Sequence, residues 1–344
     1  MNSYRRRLIL GEYDTARDGK FTLTELSLET PQIVENYIDI PGMDGSLDLC
    51  DGLDSRPRYK SRKLSATLES SAGSLREREK IISAMIPQLH GKRLRIVHPD
   101  YPGKYLTGRV TVQREFNTLA YCRVSVTAVC GPWFYDSIPH YSNIRVLPKA
   151  QNAAVKDAVT KMDGLSSCTN YGIISETDAV PMTLNTMDSP VHSIACWRLS
   201  VTPSTEYYVS GSLFGNGYWR VGNRAEMPEQ FSPIVKSSAD GFLYFWIHRL
   251  SPTGVCNIRQ VLCLPLESVS TISFDGGFAS NCRIQLDSMI SGAFSIHGNS
   301  FRINALTQTL PDLPQGPLLA AAFCCDEAAE IPDAAQIVWE GVSL

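Results

Sequence analysis

The side chains whose type and spacing most invite chemistry are the acids Asp39, Asp44, Asp48, Asp51 and Asp54, followed at once by Arg56, Arg58, Lys60, Arg62 and Lys63. A run of carboxylates suggests calcium, but the spacing misses the calcium-loop pattern, and side chains that alternate along a hairpin do not converge on one ion. Paired carboxylates also drive glycoside hydrolysis, yet nothing in the spacing singles out a pair. Nucleophile elbows, phosphate-binding loops, HExxH and EF-hand spacings are all missing. The segment GNGYWRVG at 215–222 begins like a dinucleotide loop, but it lacks the third glycine in its place and reads as a turn among strands. The ten cysteines show no CxxC or Cys/His ligand spacing, and Cys324-Cys325 stands apart. Cys122 and Cys130 share parity with Ala120, Val124, Val126 and Ala128, the core face of a strand, where free Cys behaves as a small apolar residue. The chain is read as a non-enzyme with no catalytic, cofactor or metal residue, and its thiols as free and buried.

The same charges have a second use. In a rotational ring each copy presents two different surfaces, and an acidic patch meeting a neighbour's basic patch sets register and steers assembly. On this reading Asp39, Asp44, Asp48, Asp51, Asp54, Arg56, Arg58 and Arg62 form a subunit interface. The alternative is a solvated loop whose exposed pairs contribute only about 0–1 kcal/mol each. A second candidate surface lies in GFLYFWIHRL. Tyr244, Trp246 and His248 share one face of a strand, and Phe245 and Ile247 the other. Flat aromatic rings suit sugar C–H faces, so Tyr244 and Trp246, together with Trp197, Tyr218 or Trp219, are candidates for a glycan platform. The competing role of that face is packing against protein.

These residues must be positioned by strands. Ile38 and Ile40 alternate with Tyr37 and Asp39, and Leu47 and Leu49 with Ser46 and Asp48, the mark of half-buried strands. Pro41-Gly42 and Asp44-Gly45 supply the turn. Arg6–Tyr13 and Phe21–Glu29 read as strands joined at Asp18-Gly19. Lys63–Glu69 turns Leu64, Ala66 and Leu68 inward. Leu75–Leu89 is the one strong helix: Ser74 and Glu77 make a capping box, Leu75, Ile82, Met85, Ile86 and Leu89 form its apolar stripe, and Arg76, Glu77, Arg78, Glu79 and Lys80 form its solvated face. Three more strands follow, through a turn at Tyr101–Lys104 and another at Asn117-Thr118. Residues 136–192 are poor in aromatics and rich in Ser, Thr, Asp and Asn, with a thin helical pattern at Ala150–Met162. From Ser193 to Leu264 alternation returns in five runs punctuated by Pro, Gly, Ser or Asn, as in a sandwich. The fold class is mainly β: an N-terminal β-sandwich with one helix and a C-terminal β-sandwich or jelly-roll region.

Composition fits this. The 344 residues are 43% hydrophobic and 19% charged, with a net charge of −3, which gives no global pull towards nucleic acid or membrane. Residues 1–135 carry 20 Lys and Arg against 16 Asp and Glu, a net of +4, and residues 136–344 carry −7. Leu8–Leu10 is too short for a signal-peptide core and no run approaches the roughly 18 apolar residues of a membrane span, so a cytoplasmic product is expected.

The order of elements in the first 135 residues resembles the distal tail protein (Dit) family of long-tailed phages. The matching tags are the hairpin IPGMDGSLDL; Tyr59, Arg62 and Leu64 before a strand; the Arg-Glu helix; Gly103, Lys104, Leu106 and Gly108 in a hairpin; and the exit Pro132-Trp133-Phe134. The runs TEYYVSGSLFG and ADGFLYFWIH look like a carbohydrate-binding-module jelly-roll, and the turn Leu313-Pro314-Gln315-Gly316 resembles a late Dit pattern. The resemblance implies a ring-forming domain at 1–135, a connector at 136–192, a jelly-roll-like part at 193–265 and a closing β part at 266–344. A jelly-roll inserted within a Dit C-terminal domain is one arrangement, and a single larger sandwich the other. It also implies a virion structural protein of the phage tail tip, assembled in the host cytoplasm as a homo-hexameric ring through which DNA passes without specific binding. Its implied neighbours are the tail tube, tape-measure and tail-tip or baseplate hub proteins, with a receptor-binding protein or host surface polysaccharide as further contacts. The alternative function is a carbohydrate-binding adhesin.

Overall fold

The computed structural model describes residues 7–40, 44–48, 58–148, 151–154, 159–161, 171–175, 183–186, 194–224, 228–250, 256–324 and 335–344. The chain is mostly β with one α-helix among the described residues, as its alternating patterns predict. It divides into two units, one of residues 1–139 with 340–344 and one of residues 140–339.

The main antiparallel sheet of the first unit has the spatial order Thr22–Leu28, Arg62–Ser70, Cys122–Cys130, Lys104–Asn117, Arg93–Val97, Ile9–Leu10, Tyr13–Asp14, and Phe134–Asp136 pairs with Lys104–Asn117 and with the last described strand. The expected strand Arg6–Tyr13 is instead two short strands. Gly11, at φ +65°, breaks it, and its amide donates to the Arg95 carbonyl at 2.7 Å. Leu64, Ala66 and Leu68 face inward with Val124, Val126 and Ala128, as their period of two requires. The helix Leu75–Leu89 lays Ile82, Met85 and Leu89 on this core. Its capping box forms as the sequence predicts: the Glu77 amide donates to Ser74 Oγ at 3.3 Å and the Ser74 amide to Glu77 Oε2 at 2.7 Å.

Arg78 corrects the reading of the helix surface. It is 1% exposed, not solvated. Nη1 donates to the Gly73 carbonyl at 2.7 Å, Nη2 to the Thr118 and Leu119 carbonyls at 2.6 and 3.1 Å, and Nε to Asn117 Oδ1 at 3.3 Å. A buried guanidinium is tolerated when its fixed fork of donors is satisfied. Here the acceptors come from the loop before the helix and from the turn between Lys104–Asn117 and Cys122–Cys130, so one side chain fixes the helix against the sheet's end.

The second unit holds two β layers that share a core and a further β core beside them. One sheet runs Val159–Lys161, Ile194–Ser200, Phe242–Arg249, Gly217–Gly222. The other runs Tyr171–Ser175, Thr183–Thr186, Asn257–Pro265, Glu206–Phe214, Ile234–Lys236. Trp197, Leu199, Leu243, Phe245 and Ile247 face Tyr207, Val209, Val261 and Cys263 between them. The helix expected at Ala150–Met162 is not formed where the chain is described: 159–161 is a strand paired with Trp197–Leu199.

The further core is built from both sides of this sandwich in chain order. His140–Ile144 pairs with 335–339 of the strand Ala335–Ser343, and Val146–Leu147 with Leu313–Cys324. Ile144, Ile272, Phe294, Leu318 and Ile337 lie in one cluster. Leu313-Pro314-Gln315-Gly316 is not a turn. It opens the strand Leu313–Cys324, which pairs with Ser270–Leu286 across a register shift between Phe274 and Phe278. Gly316, at φ +109°, takes up a conformation that L side chains resist. Between this core and the sandwich, Tyr208 Oη lies 2.7 Å from Ser295 Oγ and accepts from the Gly298 amide at 2.9 Å, and Ser210 Oγ lies 2.8 Å from Ser300 Oγ.

The seven described cysteines are buried, and burial pushes the Cys130 and Cys256 thiols up to about 11. Cys50, Cys168 and Cys325 lie outside the described residues.

Two outcomes follow from these buried groups. Arg78→Met leaves three carbonyls unpaired and lowers unfolding free energy by about 3 kcal/mol, measured by denaturant titration, with Arg78→Lys intermediate; a change within about 0.5 kcal/mol would refute the staple. Burial raises the Tyr208 phenol from its ordinary 10.0 to about 12, and the Tyr13 phenol likewise. The fold holds the neutral form, so this stabilisation is complete below pH 10 and is lost as pH rises towards 12. Burial and the hydrogen bond to Glu340 raise the Tyr105 phenol as well, so an absorbance titration at alkaline pH should show three late tyrosines that ionise with unfolding, and Tyr208→Phe should remove one of them.

Candidate functional site

Two surfaces carry the residues singled out in the sequence. The first is a ribbon. Beyond the sheet, the pair Thr22–Leu28 and Arg62–Ser70 continues through Glu29 N to Lys63 O (3.0 Å), Lys60 N to Gln32 O (2.7 Å), the bridge Ile33–Tyr59, and Val34 N to Arg58 O (2.7 Å). Tyr59 packs edge-on against Trp133 at 5.2 Å. Past this point Tyr37–Asp39 and Ser46–Asp48 form their own two-stranded sheet, with Ile38 opposite Leu47 and Gly45 at φ +84° in the turn.

The hairpin forms as its alternation predicts, but it is not half-buried. Tyr37, Ile38 and Asp39 are all exposed, although their side chains alternate between the two faces. Ile38 is 47% exposed and Ile40 41%. Of the eight predicted interface residues, Asp39, Asp44 and Arg58 are exposed on or beside this ribbon, and Asp39 Oδ1 accepts from Ser46 Oγ at 2.5 Å. Asp48 lies on its second strand. Asp51, Asp54 and Arg56 lie outside the described residues.

Arg62 belongs elsewhere. It is 5% exposed, opposite Cys130, with its guanidinium carbon 4.5 Å from the centre of the Phe134 ring. Burial lowers its affinity for the proton, and its Nε and Nη2 find no hydrogen-bond partner among the described residues. Its parity with Leu64 and Leu68 was the available signal: it is on the core face. It leaves the exposed acid–base set.

The second surface is the aromatic strand. Cross-strand partners share a face, so register decides which rings act together. Trp197 is opposite Phe245 and Trp219 opposite Ile247, all facing the sandwich core, and Trp197 is wholly buried. Trp219 lies 4.7 Å from Phe231 and stacks 6.4 Å from Phe245. Trp246 is opposite Cys196 and Arg220, and Tyr244 opposite Arg198 and Gly222, on the outer face. The four predicted platform residues therefore split two and two across the sheet. Trp246, on the outer face, is itself buried, with no hydrogen-bond partner for Nε1 among the described residues.

What the outer face does bring together is a set that parity alone assembles. Tyr218 Oη lies 2.6 Å from His248 Nδ1 with the rings edge to face, Arg220 lies over Tyr218 at 5.0 Å, and Arg198 over Phe242 at 4.5 Å. Tyr218, Arg220, Tyr244 and His248 are half-buried around the covered Trp246.

Among the described residues no three His, Cys, Asp or Glu side chains converge as metal ligands, and no helix is long and apolar enough to cross a membrane. No family model and no curated protein matches the chain. Among solved structures it is similar to the Dit protein of phage SPP1, described as a paradigm of the hub adsorption apparatus in phages that infect Gram-positive bacteria. The identity is 12%, covering 98% of this chain and 99% of that one, with a TM-score of 0.40. A likeness of that size leaves the fold to be argued from the strand pairings themselves.

The split of the aromatic set has a measurable consequence. Trp197→Ala removes a fully buried ring and costs about 3–5 kcal/mol, whereas Tyr244→Ala stays within about 1 kcal/mol. Thermal or denaturant unfolding of the two variants checks this, and equal costs would overturn the inward–outward assignment.

Proposed function

We propose that this protein is a structural component of a phage tail: a distal tail hub whose first unit assembles into a ring, joining the tail tube to the tail-tip or baseplate and host-adhesion apparatus. The observation that carries the reading is the ribbon at 37–48. An isolated two-stranded hairpin is marginal in water and needs a further layer. This one offers the exposed Ile38 and Ile40 with acids beside them, a surface suited to burial in an assembly. The ordered tags around it, from IPGMDGSLDL to Pro132-Trp133-Phe134, support the same reading.

In this proposal the ring is a homo-hexamer within the virion, and DNA passes its channel without base-specific contact. The tube, tape-measure and hub proteins are its neighbours, and the second unit meets a receptor-binding protein or the host surface. A second reading, a carbohydrate-binding adhesin, is favoured by the outer-face cluster of Tyr218, Tyr244 and His248. A glycan array with wild type and Tyr244→Ala separates it, since an adhesin binds host-wall polysaccharide without needing the ring.

Negative-stain images and light scattering of the purified chain should show a ring with a central hole. Ile38→Ser/Ile40→Ser, whose side chains support no core in the monomer, should return monomers with an unchanged far-UV spectrum. Arg58→Glu should weaken assembly more at low salt than at high salt. A wild type that stays monomeric at all concentrations reached, or rings unaffected by the double substitution, would overturn the proposal.

A further inference from the structure

The outer face of the sandwich sheet carries two cations that nothing on that face balances. Down its middle strand, Phe242–Arg249, every second side chain points outward, from Phe242 through Tyr244 and Trp246 to His248. Arg198 lies on one flank, opposite Tyr244, and Arg220 on the other, opposite Trp246. Neither guanidinium meets a carboxylate or donates a hydrogen bond among the described residues. Ile194–Ser200, Phe242–Arg249 and Gly217–Gly222 contain no Asp or Glu at all. This local excess runs against its surroundings, since residues 136–344 carry a net charge of −7.

Each arginine is held by a ring. The Arg198 guanidinium carbon lies 4.5 Å from the Phe242 ring centre, and that of Arg220 lies 5.0 Å from the Tyr218 ring centre. Stacking fixes the plane of a guanidinium and leaves the in-plane N–H fork for a phosphate or carboxylate, which it matches two bonds at a time. The two stacks lie at opposite ends of the strip. Tyr218 is opposite His248, three same-face steps along from Phe242, and six residues at about 3.4 Å each put the stacks roughly 20 Å apart. A single anionic group cannot reach both. Between them the face offers donors: the Tyr244 phenol and Tyr218 Oη, the latter 2.6 Å from His248 Nδ1. Arg198 Nε and Trp246 Nε1 are buried donors with no acceptor among the described residues, a cost that an oxygen-rich ligand would relieve.

We infer that this face binds an acidic polysaccharide laid along Phe242–Arg249, with one phosphate or carboxylate at Arg198, a later one at Arg220, and the Tyr244 and Tyr218 hydroxyls bonded to the sugars between. The same geometry argues against the two neighbouring ligand classes. A single-stranded nucleic acid stacks its bases on bare ring faces, and a neutral glycan uses such faces too. Here Phe242 and Tyr218 each have a face under a guanidinium, and Trp246 is 3% exposed. What the strip presents instead is charge and hydrogen-bond donors at fixed intervals. The inference rests on the second, carbohydrate-binding reading and names its ligand; it uses nothing of the ring.

The test is binding of the full-length protein to four immobilised polymers, followed by biolayer interferometry: polygalacturonate, a phosphodiester-linked capsular polysaccharide, neutral dextran and oligothymidylate. Wild type should bind an acidic polysaccharide at least roughly tenfold more tightly than dextran or oligothymidylate, and the preferred acidic polymer identifies the anion as carboxylate or phosphate. Arg198→Gln and Arg220→Gln should each weaken binding roughly tenfold, and together roughly a hundredfold, while the melting temperature stays close to that of wild type. Arg198→Lys/Arg220→Lys keeps the charge but not the fork, and should recover part of the loss. Equal binding to dextran that survives the double glutamine substitution would overturn the acidic ligand and keep the carbohydrate reading. Tightest binding to oligothymidylate would overturn it in favour of nucleic acid. Binding to none of the four would overturn the inference and leave the ring, which is read separately, untouched.

Discussion

The first unit is organised around one desolvated guanidinium. Removing Arg78 from water carries a penalty of several kcal/mol unless every donor finds an acceptor, and its four hydrogen bonds go to neutral oxygens of the loop before the helix and of the Asn117–Leu119 turn. That requirement joins three elements far apart in the chain. The helix cannot slide along the sheet without stranding the guanidinium. The turn cannot rearrange without exposing the helix end. The line of Ile82, Met85 and Leu89 is thereby set over Leu64, Val110 and Val126. The hydrophobic burial is larger but non-directional; the arginine supplies the register.

A second constraint governs what the sheets leave over. A strand buries side chains on whichever faces other layers cover, so an alternating pattern states that one face is covered without saying by what. In Arg62–Ser70 the cover is the unit's own core. In Tyr37–Asp39 the same pattern leaves side chains on both faces exposed among the described residues. Phe242–Arg249 shows the converse: Leu243, Phe245 and Ile247 enter the sandwich core, while Trp246 on the opposite face is buried too. Identical local grammar therefore gives three different fates, decided by what lies above the strand.

This explains how far the sequence could be read. The helix, its capping box and the inward sets at 64–68 and 122–130 were visible because they depend on spacing within one element. Arg62 and Arg78 were misplaced because charge outweighed position in the reading, yet their spacing from Leu64 and Ile82 already put both on core faces. Long side chains can bury their stems and still bond their heads, so parity was the better guide. Trp197, chosen for its ring, also has its place set by parity: it shares a face with Ala195 and Leu199, both buried. Gly11 and Gly316 were harder, because a broken strand and a register shift differ from a turn only in what pairs alongside.

The order of strands in the second unit was beyond any local reading. His140–Ile144 pairs with Ala335–Ser343 and Val146–Leu147 with Leu313–Cys324, more than 170 residues later in each case (His140 with Trp339, Val146 with Ala322), and the sandwich of 159–265 lies between them in sequence. Nothing in a five-residue strand encodes a partner at that distance; it follows from which edges remain open once nearer strands have paired. The last residues repeat the lesson. Residues 340–343 return to the first unit, where Tyr105 Oη donates to Glu340 Oε2 at 2.6 Å and Lys104 Nζ to Ser343 Oγ at 2.6 Å. The first unit is thus completed by residues that lie 235 positions in sequence beyond Tyr105. The sandwich, by contrast, begins and ends against the same core, so its loops and outer face can change without altering the pairings that close the rest.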